Sequence, residues 1–260
     1  GTVSKVGAGG NHTCVILIEG AIRCWGDNAS GQVGTGTNAP TLQPVSVLPY
    51  FGTAISVSGG STHTCAVNTS GQVWCWGGRT GDGTYFPSYE PKQVTGVAPS
   101  ALSVSAKGAN TCVVLIDGNM QCWGYNHAGQ LGDGTTLESL SPVNVAGISG
   151  VTSASVGLIH ACALTADHRI NCWGGNSYQT LGIGVENFRL VPTPVVGLSS
   201  NMKTIAAGAF NHSCGVTTDG TVYCWGSNGW IGLLGDGTQV IYRPVPVPVA
   251  TLRSNVADVT

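Results

Sequence analysis

The sequence predicts an all-β protein made of five copies of one module, and three observations support this. Two cysteines stand ten residues apart five times along the 260-residue chain, and Trp-Gly follows the second cysteine each time. Successive pairs are offset by about fifty residues, which indicates a repeat architecture. Within each copy, apolar residues alternate without a helical period, and Gly-, Ser- and Pro-rich breaks separate four short strands. Four antiparallel strands in about fifty residues is the size of a β-propeller blade.

The second copy shows the four strands in order. We predict them at residues 55–58, 63–67, 72–76 and 91–94. We place the five repeats at about 2–53, 54–100, 101–150, 151–201 and 202–253, within a single domain spanning residues 1–260. Residues 254–260 match the start of a further repeat. We expect this strand to join the sheet of the first copy and close a five-bladed ring, with part of a larger ring as the alternative.

The middle hairpin of each copy determines how the cysteines pair. A three-residue turn that ends in a residue with positive φ pairs the residues on either side of it. Glycine is third in four of these turns and His168 in the fifth, and both tolerate positive φ better than most residues. Counting outward from the turn places the two cysteines opposite each other, within reach of a disulfide. We therefore predict five disulfides: Cys14–Cys24, Cys65–Cys75, Cys112–Cys122, Cys162–Cys172 and Cys214–Cys224.

Composition limits the location and the partners. Ten cysteines used in disulfides indicate an oxidising compartment, so we expect an extracytoplasmic protein, secreted or at the cell surface. The net charge of −2 and the scattered basic residues provide no basic stripe, so nucleic acid is not an expected partner. No apolar run reaches the roughly eighteen residues of a membrane helix. We expect a mature or trimmed soluble product, since Gly1 is not followed by a leader pattern.

Histidine stands two residues before the first cysteine in four copies, which raises zinc binding as an alternative to disulfides. These residues are His12, His63, His160 and His212. The third copy has Asn110 in this place, no fourth ligand recurs, and the cysteine spacing is not that of structural zinc sites. We predict no metal and no cofactor. We expect the histidines to hydrogen-bond neighbouring backbone where blades meet, and the Trp after each second cysteine to fill the space between sheets.

The loop after each Trp-Gly carries a family resemblance. Residues 126–135 read Asn-His-Ala-Gly-Gln-Leu-Gly-Asp-Gly-Thr, a His-Thr-Cys pattern precedes the hairpin, and a Pro-Val pattern ends the copy. Across essentially the whole chain, these motifs resemble the repeats of the regulator of chromosome condensation family, which implies that family's β-propeller. The cysteine-paired variety looks like secreted or surface proteins of bacteria with binding or scaffolding roles. Five repeats and paired cysteines differ from the founding seven-repeat nucleotide-exchange factor of a nuclear GTPase, and argue against that activity here.

Loops that break the repeat pattern are where a binding site is expected. The second copy's loop has lost four residues after Trp76, and it is followed by several aromatic residues. Exposed rings with nearby amides suit a protein or a glycan, although such rings can also simply cover the sheets beneath them. The candidate binding residues are Tyr85, Phe86, Tyr89, Tyr125, Tyr178 and Trp230.

These features predict a binding or scaffold propeller without catalysis that presents variable loops to a protein or glycan. No nucleophile with a base, and no carboxylate pair, breaks the repeat, although a carbohydrate-active enzyme is a further alternative. The other alternative is a structural subunit of a surface layer, sheath or filament, built from copies of the chain itself. We interpret the Asp-Gly-Thr sequences as turns rather than calcium sites; they begin at Asp82, Asp133 and Asp236.

Overall fold

The computed structural model describes residues 1–98, 100–208, 211–252 and 254–259. Within these residues the chain forms five sheets of four strands each, and no helix. Each sheet uses one repeat, and consecutive strands of a repeat are neighbours in its sheet. The prediction of an all-β fold with five four-stranded blades is therefore confirmed.

The five blades have closely similar strand positions. Blade 1 contains β1 (Val3–Ala8), β2 (His12–Leu17), β3 (Ile22–Gly26) and β4 (Thr41–Ser46). Blade 2 contains β5 (Ala54–Gly59), β6 (His63–Asn68), β7 (Val73–Gly77) and β8 (Ser88–Gln93). Blade 3 contains β9 (Ala101–Lys107), β10 (Asn110–Leu115), β11 (Met120–Gly124) and β12 (Ser139–Asn144). Blade 4 contains β13 (Val151–Val156), β14 (His160–Thr165), β15 (Ile170–Gly174) and β16 (Arg189–Pro194). Blade 5 contains β17 (Met202–Ala207), β18 (His212–Thr217), β19 (Val222–Ser227) and β20 (Tyr242–Pro248).

The fourth strand of the second copy begins three residues earlier than predicted. It starts at Ser88 and not at Pro91, because an irregularity in the β7–β8 pairing lets Gly77 pair with Ser88. Between the Cys75–Lys92 and Gly77–Ser88 pairs, β8 contains two more residues than β7, and this bulge carries the ladder past Pro91.

The hairpin between the second and third strands is as predicted. Its third turn residue has positive φ in every blade, from 61° at His168 to 82° at Gly20 and Gly220. Cys14 pairs with Cys24 in the strand register. All five disulfides form, each with a Cα–Cα distance of 4.1 Å. Each disulfide therefore links the two central strands of its own blade, as the sequence predicted.

The chain divides into two compact units. The first consists of Gly1–Tyr125 with Glu138–Val143, and it contains blades 1 and 2 and nearly all of blade 3. The second consists of Asn126–Leu137 with the residues from Asn144 onward, and it contains blades 4 and 5 and the loop that follows β11.

Within each unit, neighbouring blades pack through two different faces. Cysteine and the following tryptophan point to opposite sides of a strand, so each blade has a disulfide face and a tryptophan face. The disulfide face of one blade packs against the tryptophan face of the next. In the first unit this joins Cys14, Ile16, Ile22 and Cys24 of blade 1 to Ala54, Val57, Ala66 and Trp76 of blade 2. In the second it joins Cys162, Leu164, Ile170 and Cys172 of blade 4 to Met202, Ile205 and Trp225 of blade 5.

Four of the five tryptophans therefore serve as core residues, as predicted, whereas Trp25 of blade 1 is only half-buried. Trp76, Trp123, Trp173 and Trp225 are at most 1% exposed, and full burial of so large a side chain is a major source of stability.

Among the described residues, no helix has the length and apolar character needed to cross a membrane.

Candidate functional site

A hydrogen-bond relay connects neighbouring blades through the recurring histidine. His12 Nε2 lies 2.8 Å from Thr64 Oγ1 of the next blade, and the Thr64 hydroxyl donates to the Gln32 carbonyl at 2.8 Å. Because that donation uses the hydroxyl proton, His12 must donate from Nε2. His160, Ser213 and the Thr180 carbonyl repeat the arrangement between blades 4 and 5. His12, His63 and His160 thus bond to a hydroxyl of the next blade. The predicted direct bond from these rings to backbone is replaced by one that passes through the hydroxyl.

Burial keeps these histidines uncharged. It lowers the pKa of His12, His63 and His160 from 6.5 to about 4. For His63, the nearby His12 and Arg79 lower the pKa further in the same direction. The sulfur atoms beside these rings are bonded to each other in disulfides. The recurring His and Cys residues are therefore part of the packing between blades.

The loop after Trp-Gly is held together by one buried asparagine. In the loop after β11, Asn126 Oδ1 accepts from the Leu131 backbone N–H, and its Nδ2 donates to the carbonyls of Thr135 and Leu137. The loop's Gln130 carbonyl then accepts from Trp173 Nε1 at 3.1 Å. The equivalent asparagines are Asn28, Asn176 and Asn228. This arrangement fixes the loop and gives the next tryptophan a hydrogen-bond acceptor.

The Asp-Gly-Thr turns at the end of these loops use their carboxylates internally. Asp82, Asp133 and Asp236 each accept from the backbone N–H and the hydroxyl of the Thr two residues later. Asp236 is also paired with Arg243 at 2.6 Å. Among the described residues, no group of three His, Cys, Asp or Glu side chains is arranged to hold a metal ion.

Blade 2 departs from this loop because the four missing residues include the asparagine. Arg79 takes the place held by Gln32 and Gln130 in other copies, and its φ is +52°, a strained conformation for a residue with a side chain. Thr80 replaces the apolar Val33 of blade 1 and is fully buried. Thr80 Oγ1 and Trp123 Nε1 are buried with no hydrogen-bond partner among the described residues. The altered loop therefore lacks the hydrogen bond that its counterparts accept from the tryptophan of the next blade.

Four side chains from three segments of the first unit meet around this loop. The guanidinium carbon of Arg79 lies 4.0 Å from the ring centre of Tyr125 and 5.3 Å from that of Tyr85. Arg79 Nη1 lies 3.3 Å from Glu138 Oε2, and the Tyr85 hydroxyl donates to Glu138 Oε1. We call these four residues the Arg79 cluster. Its cation–π contacts and charge-assisted bonds hold two tyrosine rings in fixed positions at the surface.

The charges of the Arg79 cluster balance. The hydrogen bond from Tyr85 lowers the pKa of the Glu138 carboxyl, and the Arg79 guanidinium acts in the same direction. The same hydrogen bond raises the pKa of the Tyr85 hydroxyl. The cluster therefore keeps an ion pair between Arg79 and Glu138 beside a protonated Tyr85 hydroxyl. Tyr85 is 61% exposed and Tyr125 is 44% exposed, so the rings are available for contact.

The other candidate residues lie in different surroundings. Phe86 follows Tyr85 and is 77% exposed. Tyr89 packs against the backbone of Gly31 in the first blade's loop, where a Cβ atom would lie only 2.4 Å from the ring, so it covers the structure beneath. In the second unit, Tyr178 lies 6.3 Å from Tyr242 between ring centres, and Trp230 is largely exposed. Of the six candidates, the structure brings Tyr85 and Tyr125 together.

Sequence reasoning missed Arg79 and Glu138. Arg79 could have been found, because it is the one charged residue at a position where the other copies have Gln32, Gln130, Thr180 and Leu233. Glu138 could not, because it is 59 positions from Arg79 and the two residues meet only when blades 2 and 3 pack.

Two family models describe the repeats of this chain. One, the Regulator of chromosome condensation (RCC1) repeat, matches residues 3–32, 54–83, 102–130, 151–179 and 202–229. A second model with the same description matches residues 19–67 and 117–164.

Curated relatives match only a part of the chain. The Ultraviolet-B receptor UVR8 of Arabidopsis thaliana is 32% identical over 76 residues, which are 29% of this chain and 17% of the receptor. The E3 ubiquitin-protein ligase HERC2 of Homo sapiens is 30% identical over 73 residues, which are 28% of this chain and 2% of the ligase.

Solved structures match nearly all of the chain. Human WBSCR16 has a TM-score of 0.84 at 23% identity, with 95% of this chain and 67% of that chain covered. Yeast RCC1 (Prp20), solved bound to Kap60, has a TM-score of 0.82 at 20% identity, with 96% and 64% covered. These likenesses show the β-propeller fold. Because one family model matches every repeat and covers more than half of the residues, the chain belongs to the regulator of chromosome condensation repeat family.

Proposed function

We propose that this chain is a binding module without catalytic activity that works outside the cytoplasm and engages a partner protein through the Arg79 cluster. The observation that carries the proposal is the meeting of Arg79, Tyr85, Tyr125 and Glu138 around the one loop that departs from the repeat. Tyrosine and arginine are the residue types that most often dominate protein interfaces.

The cluster is prepared for binding before a partner arrives. The Arg79 side chain is only 18% exposed and is held between two rings and a carboxylate. Side chains that are already ordered lose less conformational entropy on binding. That a related propeller, yeast RCC1, was solved bound to Kap60 supports a protein as the partner class, while a glycan is the alternative.

The five disulfides support a location outside the cytoplasm. Every cysteine of the chain is in a disulfide, and such bonds persist in oxidising compartments. We expect folded protein with five disulfides when the chain is exported, and reduced, unstable protein when it is produced in a reducing cytosol.

The binding proposal is tested by comparing capture on arrays of extracellular proteins and of glycans. We expect Tyr125→Ala and Tyr85→Ala each to weaken capture about ten-fold or more. Tyr178→Ala is the matched control, because Tyr178 is 40% exposed and lies in the second unit. All variants should keep five disulfides and the wild-type melting temperature. Equal losses for the control, or unchanged capture by both cluster variants, would refute the proposed site. Capture by glycans alone would reassign the ligand class.

A further inference from the structure

The segments that connect consecutive blades differ in length at one place. Each connecting segment begins after the buried valine that follows a fourth strand, and it ends at the first strand of the next blade. Residues 48–53, 95–100 and 196–201 form connecting segments of six residues each. Residues 146–150 form a segment of five. Blade 4 is therefore entered by a shorter connection than blades 2, 3 and 5.

The side chain that lies below the connecting segment also differs between blades. It stands two positions before the tryptophan that follows the second cysteine, on the same side of the strand. In blade 2 it is Trp74, which stacks on Phe51 of the connecting segment with 5.3 Å between ring centres. In blade 3 it is Gln121, which accepts from the Ala98 N–H and donates to the Gly96 carbonyl. In both blades this side chain therefore joins the connecting segment to the strand.

In blade 4 a groove is open at the same position. The side chain there is Asn171, which is one methylene shorter than glutamine and is half-buried. A groove of about 490 Å³ is lined by Asn171, by residues 147–150 of the connecting segment, by residues 165–167 and 169 of the hairpin, and by Pro194. This volume is in the range of small-molecule sites, about 300–1,000 Å³. All of the lining residues belong to the second unit, and none belongs to the first or the last blade.

The lining of this groove, which we call the Asn171 groove, combines polar groups of both kinds with apolar surface. Asp167 supplies hydrogen-bond acceptors, Arg169 supplies donors, and the Asn171 amide supplies both. Arg169 Nε lies 3.5 Å from Asp167 Oδ2, and the two side chains are 67% and 61% exposed. Ile148 and Pro194 add aliphatic surface. The groove therefore offers accessible donors, acceptors and C–H surface, and its two charges balance.

We propose that the Asn171 groove binds an uncharged sugar ring. Each hydroxyl of a sugar both donates and accepts, so neighbouring hydroxyls match the carboxylate, guanidinium and amide groups of the lining. The C–H face of the ring matches the aliphatic surface of Ile148 and Pro194. A charged ligand would meet a like charge, at Asp167 for an anion and at Arg169 for a cation. This site is separate from the Arg79 cluster, which lies in the first unit.

The test is saturation-transfer NMR of the disulfide-bonded chain with a panel of methyl glycosides of neutral sugars. We expect at least one glycoside to bind. Asp167→Ala, which removes the acceptor, should weaken that binding about ten-fold. Asp117→Ala is the matched control, because Asp117 holds the same place in the hairpin turn of blade 3 and should leave binding unchanged. Asn171→Trp, which copies Trp74 of blade 2, should fill the groove and abolish binding.

Circular dichroism and disulfide mapping check that each variant is folded, and Asp167→Ala decides the question if Asn171→Trp does not fold. The proposal would be overturned if no glycoside of the panel binds the wild-type chain. It would also be overturned if folded Asn171→Trp binds as well as wild type, or if Asp117→Ala weakens binding as much as Asp167→Ala. Tyr125→Ala should keep the sugar binding, so the result does not depend on whether the Arg79 cluster binds a partner protein.

Discussion

Acidification should destabilise the protein in a pH window set by three buried histidines. His12, His63 and His160 have a pKa of about 4 in the folded state against 6.5 for an exposed imidazole. Between these values the unfolded chain binds more protons than the folded chain, so stability falls as the pH decreases. The stability that the neutral histidines contribute is fully present above pH 6.5. At about pH 5 the loss is about 2 kcal/mol for each histidine and about 6 kcal/mol for the three.

The loss is large enough to measure against a typical domain stability of about 5–15 kcal/mol. Urea unfolding with intact disulfides, at about pH 7.5 and about pH 5 and constant salt, measures it directly. His12→Asn, which copies Asn110 of blade 3, should reduce the pH-dependent loss by about a third, whatever its effect on absolute stability. A free energy of unfolding that is the same at both pH values would refute the buried, neutral state of these rings.

Two further predictions follow from buried groups. Thr80→Val should raise the free energy of unfolding by about 1–3 kcal/mol, because it removes a buried hydroxyl without a partner among the described residues. The reverse change in blade 1, Val33→Thr, should lower the free energy of unfolding by a similar amount. If Thr80→Val destabilises the protein, the Thr80 hydroxyl has a hydrogen-bond partner after all. Asn11, Asn28 and Asn68 each stand two residues before a Ser or Thr, the acceptor pattern for N-glycosylation. If the chain is secreted from a eukaryotic cell, the folded protein should carry a glycan at the exposed Asn11. It should carry none at Asn28 or Asn68, because their side-chain amides are buried and donate to other groups. Peptide mass mapping checks this, and a glycan on Asn28 in folded protein would contradict its packing.

The fold was predictable because its determinants are local and repeated. The turn length and the positive φ of its third residue set the register of each hairpin, and that register alone brings Cys14 opposite Cys24. The same reasoning succeeded at His168, where a residue other than glycine closes the turn. Repetition supplied five independent instances of one pattern, which a single hairpin would not have offered.

The contacts between blades were less accessible to sequence reasoning. The hydroxyls that accept from the histidines belong to the residue directly before the first cysteine of the next blade, namely Thr64, Thr111 and Ser213. Nothing local distinguishes them from other strand residues. The Arg79 cluster depends on the same packing, because Glu138 and Tyr125 reach Arg79 from another blade. The shortened loop of blade 2 predicts the region of the binding site, but it does not predict which charged residues meet there.

Replacing the loop of blade 2 with an ordinary loop tests whether the Arg79 cluster binds the partner. Residues 77–84 would be exchanged for the sequence of residues 124–135, which restores the asparagine and removes Arg79. If blade 2 carries the binding surface, the exchanged chain should keep its five disulfides and its fold but lose capture of the partner protein found on the array. Undiminished capture by the folded, exchanged chain would contradict the assignment of function to the Arg79 cluster.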